Sequence, residues 1–137
     1  MFKDTLTFCG FSVDNIAKAK EFYGQTLGLD VAEDIMMPMT LLNIHLATGG
    51  EIMVYSKNDH TPASFTILNF PVDNIEVAVD ELASRGVQFE QYDTDQIKTD
   101  PKGIAHDDNG IGPAIAWFKD PAGNILAVLQ LSNWNNL

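Results

Sequence analysis

Apolar and polar positions along the chain change period several times, and they do so in the same order twice. Residues 5–12 form a strand-like apolar run. Beyond it Ile16, Ala19, Phe22, Tyr23 and Leu27 recur at spacings of three and four, the stripe of a helix that buries one face. Asp14 or Asn15 stands where a side-chain oxygen can cap that helix, and Gly28 stops it. In the second half residues 64–71 are the strand, Asp73 or Asn74 the cap, Ile75, Ala78, Val79 and Leu82 the stripe, and Gly86 the stop. After each helix the pattern turns to strands: residues 31–36, 41–47 and 52–55, then 87–92, 114–119 and 125–131. "DPAG" between the last two places Pro and Gly where a tight reversal needs them. Even the letters repeat, because "FSVDNI" at 11–16 returns as "FPVDNI" at 70–75, fifty-nine positions later.

Each half therefore reads β-α-β-β-β, and the fold class is α+β. One helix shields one face of a four-stranded sheet and leaves the other face needing cover. Two tandem modules, residues 5–57 and 64–132, meet that need within one domain if their strands form a curved mixed sheet around a cavity. Residues at every second position of the central strands then point inward.

Composition narrows the partners. A chain of 137 residues that is 45% hydrophobic buries a sizeable core as one domain. Its formal charge of -11 sets like charge against a phosphate backbone, with no Lys/Arg cluster to offset it, so nucleic acid is excluded as a partner class. No apolar run approaches the ~20 residues of a membrane span, and "MFKDTLTF" lacks the regions of a signal peptide. A cytoplasmic location is expected. Cys9 is the single cysteine, so no internal disulfide or Cys-pair metal site can form. By alternation Cys9 points opposite Phe8, toward the helix, and is expected to be a buried small hydrophobe rather than a reactive thiol.

The doubled plan, the "VDNI" caps, "EFYGQTLGL" on the first helix and above all "WFKDPAGNILAV" resemble the vicinal oxygen chelate superfamily, which includes glyoxalases, bleomycin resistance proteins and extradiol dioxygenases. The resemblance runs from about Thr5 to Leu131. It implies one divalent metal held by four side chains, one each from the first, fourth, fifth and eighth strands, usually His and Glu. Carried over position by position, those places fall on Phe8, on Met53 or Val54, on Ile67 and on Ala127. None is a usual ligand for Zn, Fe, Mn or Ni. Phe8 and Ile67 are themselves fifty-nine positions apart, so the register is consistent with the repeat. The expectation is an apolar cavity floor with no metal and no cofactor, since a bare divalent ion there would carry the desolvation cost of an unpaired buried charge.

The three histidines are the other candidates for chemistry. His45 alternates with Leu42, Ile44 and Leu46 and shares a face with Asn43; it either faces the cavity as a ligand-binding or basic group or is satisfied locally. His60 and His106 lie in the turn-rich segments "KNDHTP" and "IAHDDNG", without paired-ligand spacing, and "HDD" with its Asp107 and Asp108 reads as a solvated acidic loop. No G-x-S-x-G, P-loop or G-x-G-x-x-G is present. "IMMPM" at 35–39, with Met37 at its centre, either shapes a cavity mouth or fills core. Asn69, on the same face as Ile67, would add a polar group, and Tyr55 and Trp117 would add ring faces. Residues 93–112 have no counterpart in the first half, which is the mark of a lid or a connection.

The expected function is metal-independent binding of a small organic molecule, one with positive charge suiting the acidic chain, at Phe8, His45, Met53, Tyr55, Ile67, Asn69, Trp117 and Ala127. The alternative is a lyase, isomerase or dioxygenase with a metal relocated around His45, or with metal-free acid–base chemistry; a structural role is a third reading. Family members of this size commonly pair, which implies a homodimer, and Trp134 beyond the last strand would cover an edge or a partner.

Overall fold

Two asparagines set the frame of the fold. In the computed structural model, which describes residues 1–36, 38–107 and 112–131, Asn15 and Asn74 have the same extended backbone, φ -141°, ψ 110° and φ -140°, ψ 109°. The Oδ1 of Asn15 accepts the Lys18 N–H at 3.0 Å, and that of Asn74 accepts the Val77 N–H at 3.1 Å. Of the two candidate caps in each half, the asparagine serves, because the residue directly before the first helical position places its oxygen over the third N–H. Met37, Asp108 and Trp134 lie outside the described residues.

Two units follow, residues 1–62 and 63–137. The first contains β1 (Cys9–Val13), α1 (Ile16–Lys20) running into a π-helical segment (Glu21–Thr26), β2 (Asp30–Met36), β3 (Met39–His45) and β4 (Glu51–Ser56). Its sheet has the order β1-β4-β3-β2, with β1 parallel to β4 and the other neighbours antiparallel. The second contains β5 (Thr66–Pro71), α2 (Ile75–Ser84), β6 (Ile104–Ala105), β7 (Ala114–Lys119) and β8 (Ile125–Gln130), in the order β5-β8-β7-β6. The same order, with a parallel pair at the same place, is the repeat expressed as topology.

Each helix buries its stripe against one face of its own sheet. In the first unit the Tyr23 ring meets Phe11 at a centroid distance of 5.6 Å, and Phe11 lies in register with Val54 and Leu42, both fully buried. In the second, Gln130 Oε1 accepts the Ile75 N–H at 2.9 Å, which fixes the helix-bearing face as that of Gln130, Val128 and Leu126 on β8. Ala116, Phe118 and Leu126 on this face are fully buried. Gly28 and Gly86 end the helices with φ of +71° and +91°, the left-handed stop anticipated for them.

Several boundaries differ from expectation for identifiable reasons. β1 starts at Cys9, not at residue 5, since its ladder with β4 opens at the Cys9–Ile52 pair, just past the turn in which the Leu46 N–H is donated to the Gly50 carbonyl. Phe8 thus stands outside the ladder, 61% exposed. Cys9 is exposed, which corrects the burial expected of it. Alternation gives direction but not cover, and α1 is only five residues long. The first helix also widens after Lys20, where Leu27 donates its N–H to Phe22 five residues back.

Residues 87–92 are not a strand. They make one bridge, Phe89 to Phe118, and the Glu90 N–H bonds the Trp117 carbonyl at 2.8 Å. Past that point Tyr92 turns to Thr99, whose N–H and Oγ1 engage the Tyr92 carbonyl and N–H. The chain then doubles back through bridges Asp93 to Lys98 and Thr99 to Ala105, so the edge beside β7 is completed by Ile104 and Ala105. Among the described residues no helix is long and apolar enough to cross a membrane.

Candidate functional site

The sheet faces turned away from the helices carry Met53, Tyr55 and His45 in the first unit and Asn69, Ala127 and Trp117 in the second. In the first unit, ladder register aligns Gly10 with Met53 and Asn43, and Ser12 with Tyr55 and Leu41, on one face. His45 pairs with Glu51 at the end of this face, and their side chains lie within hydrogen-bond distance, Nδ1 to Oε1 3.0 Å. The imidazole is thereby satisfied locally, the plainer of its two readings. Ser12 Oγ and His60 Nδ1 are 2.7 Å apart, so His60 ties the segment after β4 to β1.

In the second unit Asn69, Ala127 and Trp117 form one cross-strand row over β5, β8 and β7. Ala127 is fully buried, Trp117 half-buried and Asn69 exposed. Ile67 falls at an irregularity in the β5–β8 ladder between Thr66 and Leu68 and has no Cα partner on β8. Sequence alignment places Ile67 at the corner with Ala127, whereas the ladder gives Ala127 to Asn69.

Between this face and the segment preceding β7 lies a cavity of about 530 Å³. Its apolar wall is Ile97, Ala105, Ile115 and Trp117; Asp95, Lys98, His106 and Asp107 supply charge and hydrogen-bonding groups. That volume is in the range of small-molecule pockets. Tyr92 meets the Trp117 ring edge-on, with centroids 5.6 Å apart and planes at 83°. Burial, followed by the nearby Glu90 carboxylate, raises the Tyr92 hydroxyl above its ordinary pKa, so it stays neutral beside the indole.

The wall is anchored. Asp100 Oδ1 accepts the N–H groups of Lys102 at 2.9 Å and Ile104 at 3.0 Å, and Oδ2 meets His106 Nε2 at 3.0 Å. Lys102 Nζ reaches Asp80 at 2.8 Å and Glu76 at 3.0 Å, clipping the hairpin to α2. Gly103, with φ +89°, lies so close to the chain that a Cβ there would stand 2.8 Å from Phe89 Cβ. Of the lining groups, sequence reasoning had named Trp117 and set His106 aside as loop. The signal for the rest was that residues 93–112 have no counterpart in the first half.

A second hollow of about 640 Å³ lies at the end of the first sheet, with Pro38, Met39 and Thr40 of the β2–β3 turn on one side and Lys57, Asn58 and Asp59 on the other. Pro38 and Met39 of "IMMPM" thus border this hollow, which is separate from the cavity over the second sheet.

At the four positions carried over from the superfamily, Phe8 and Met53 in one unit and Ile67 and Ala127 in the other offer no imidazole or carboxylate. These residues do not fit a divalent ion. Glu76, Asp100 and His106 bring single donor atoms within 4.8 Å of one another. Those donors are engaged, however, since Glu76 holds the Lys102 ammonium and His106 Nε2 is bonded to Asp100. The Lys102 ammonium already occupies Glu76.

Residues 5–128 match the family model described as Glyoxalase/Bleomycin resistance protein/Dioxygenase superfamily. Among solved structures, a glyoxalase family protein from Enterococcus faecalis superposes with a TM-score of 0.68 at 22% identity, covering 94% of this chain and 99% of that one. An antibiotic binding protein from Streptomyces superposes with a TM-score of 0.64 at 24% identity, covering 92% and 96%. A glyoxalase/bleomycin resistance protein/dioxygenase from Alicyclobacillus acidocaldarius gives 0.65 at 13% identity, covering 95% and 93%. Comparison with curated proteins gives no match.

Proposed function

We propose that this chain, which belongs to the Glyoxalase/Bleomycin resistance protein/Dioxygenase superfamily, is a metal-independent small-molecule-binding protein whose ligand occupies the cavity over the second sheet. The observation that carries the reading is the patch of Ile97, Ala105, Ile115 and Trp117 set among the polar side chains of Asp95, Lys98, His106 and Asp107: an aromatic surface within a largely polar cavity, with two carboxylates against one ammonium. Such a lining suits a flat organic body with a positive charge, and the chain's formal charge of -11 favours the approach of a cation. The antibiotic binding protein from Streptomyces supports small-molecule capture on this fold. The absence of imidazole and carboxylate from Phe8, Met53, Ile67 and Ala127 supports independence from metal.

The reading includes a cytoplasmic homodimer. Phe2, Leu6, Phe8 and Ile35 are 72%, 97%, 61% and 69% exposed, and apolar side chains exposed to this degree favour burial against a second copy.

Calorimetric titration with a planar cation, proflavine, and a planar anion, 2-naphthoate, tests the ligand class, alongside elemental analysis of protein purified without chelator. Proflavine should bind more tightly than 2-naphthoate, and weaken as salt is raised. One firmly held transition metal per chain, or no heat with either probe, would overturn the reading.

A further inference from the structure

The imidazole in the cavity wall is held by a carboxylate that is itself held. His106 lines the cavity, and Asp100, which does not, holds the ring at Nε2, 3.0 Å from Oδ2. Asp100 cannot swing away without losing the backbone N–H groups of Lys102 and Ile104, and Lys102 is clipped to Glu76 and Asp80 on α2. An ionised carboxylate only accepts hydrogen bonds, so a neutral His106 must carry its proton on Nε2. The lone pair is then on Nδ1, which has no partner among the described residues, and the side chain is 52% exposed and open to an occupant. His45 and His60 differ: their Nδ1 atoms are engaged by Glu51 and Ser12, and neither ring lines this cavity.

We propose that His106 Nδ1 is a general base toward molecules bound in this cavity, with Asp100 as its positioning residue, and that the substrate class is a planar heteroaromatic or aryl carbonyl compound bearing an acidic C–H. The proposal rests on the cavity reading above. Trp117 and Ile115 offer faces for the flat body, and the Lys98 ammonium lines the same space, available to the anion that forms. In the step, the C–H proton passes to Nδ1 while its electron pair stays with the substrate, as an enolate or by expelling a leaving group. The proton then passes from the imidazolium to water. No oxidant or reductant is needed.

The probe is 5-nitrobenzisoxazole. Loss of its C3 proton forms a nitrile, breaks the N–O bond and releases a coloured phenolate. Its unreactive counterpart 6-nitrobenzotriazole, followed by calorimetry, reports the cavity alone. Saturable turnover is expected, with kcat lowered roughly tenfold or more in His106→Gln while the benzotriazole Kd holds within about threefold. Asp100→Asn should lower kcat with KM retained, because an amide donating to Nε2 moves the ring proton onto Nδ1. The pH profile of kcat should contain one ionisation that His106→Gln removes. Asp100 faces the ring at Nε2, Asp95, Lys98 and Asp107 share its cavity, and Lys102, with its partners Glu76 and Asp80, adjoins Asp100.

If the benzotriazole binds and His106→Gln turns over like the unaltered protein, the base is refuted and the cavity stands. If the benzotriazole does not bind, the cavity reading falls and takes the base with it. Nitrogen NMR of the imidazole gives a ligand-free check, in which an Nδ1–H tautomer in the unaltered protein overturns the proposal.

Discussion

Met53 stands opposite Gly10 across the parallel β1–β4 ladder, as Ala127 stands opposite Asn69 across β5–β8. Gly10 and Asn69 are fifty-nine positions apart, the repeat interval, so Met53 and Ala127 are equivalent corners of the two modules. The sequence had left Met53 and Val54 open for the fourth-strand position; the ladder selects Met53, since Val54 pairs with Phe11 on the helix side.

The two corners should respond differently to a carboxylate. Ala127 is fully buried between Asn69 and Trp117, whereas Met53 is half-buried. Ala127→Glu buries an unpaired charge and should cost about 3–5 kcal/mol in urea unfolding, whereas Met53→Glu should cost about 1 kcal/mol or less. Equal costs would mean that the burial at Ala127 does not persist in solution.

Trp117 should carry much of the ligand affinity. Trp117→Ala removes the aromatic wall and should weaken proflavine roughly tenfold, a loss of about 1.4 kcal/mol. Tyr92→Phe keeps the edge-on ring contact, and Tyr92 does not line the cavity, so binding should stay within about twofold. Titration calorimetry on the two variants decides this.

Much of the scaffold could be read from periodicity because each element depends on local chemistry. The asparagine caps, Gly28, Gly86 and the alternation along β3 act within a few residues of themselves. The cavity wall depends on pairings that periodicity does not encode. Residues 87–92 alternate like a strand, yet Thr99 captures Tyr92 and the edge passes to Ile104 and Ala105. His106 looked like loop because its meaning comes from Asp100, six residues earlier and brought back only by the turn at Gly103. The exposure of Cys9 was equally illegible, since alternation along β1 does not say how far a five-residue helix reaches.

The most specific stretch of the sequence, "DPAGN", is architecture. Asp120 and Asn124 are 4% and 2% exposed and satisfy each other's turn. Asp120 Oδ1 accepts the N–H groups of Ala122 and Asn124 at 2.9 Å, and Oδ2 accepts the Asn124 side chain at 3.0 Å. Asp120→Ala strands buried donors and should cost about 1–3 kcal/mol in thermal or urea unfolding. Since Asp120 does not line the cavity, proflavine affinity of the folded variant should be unchanged.

The hairpin wall should loosen at both ends of the pH scale, for opposite reasons. Burial alone would raise the Asp100 pKa, but hydrogen bonds from Ile104, His106 and Lys102 outweigh it and hold the carboxyl below its ordinary value. A depressed carboxyl contributes stability that is full above its unfolded value of about 3.9 and is lost as pH falls through the lower folded value. Lys102 has the reverse sign: hydrogen bonds to Asp80 and then Glu76 raise its ammonium, so its contribution is full below about 10.4 and fades as pH rises through the raised folded value. The protection factor of the Ile104 amide, which donates to Asp100, should therefore be flat between these limits and fall beyond each. Lys102→Met should abolish the alkaline fall and keep the acid one, whereas Asp100→Asn should do the opposite. An alkaline fall that survives in Lys102→Met would show that the clip to α2 does not hold the wall.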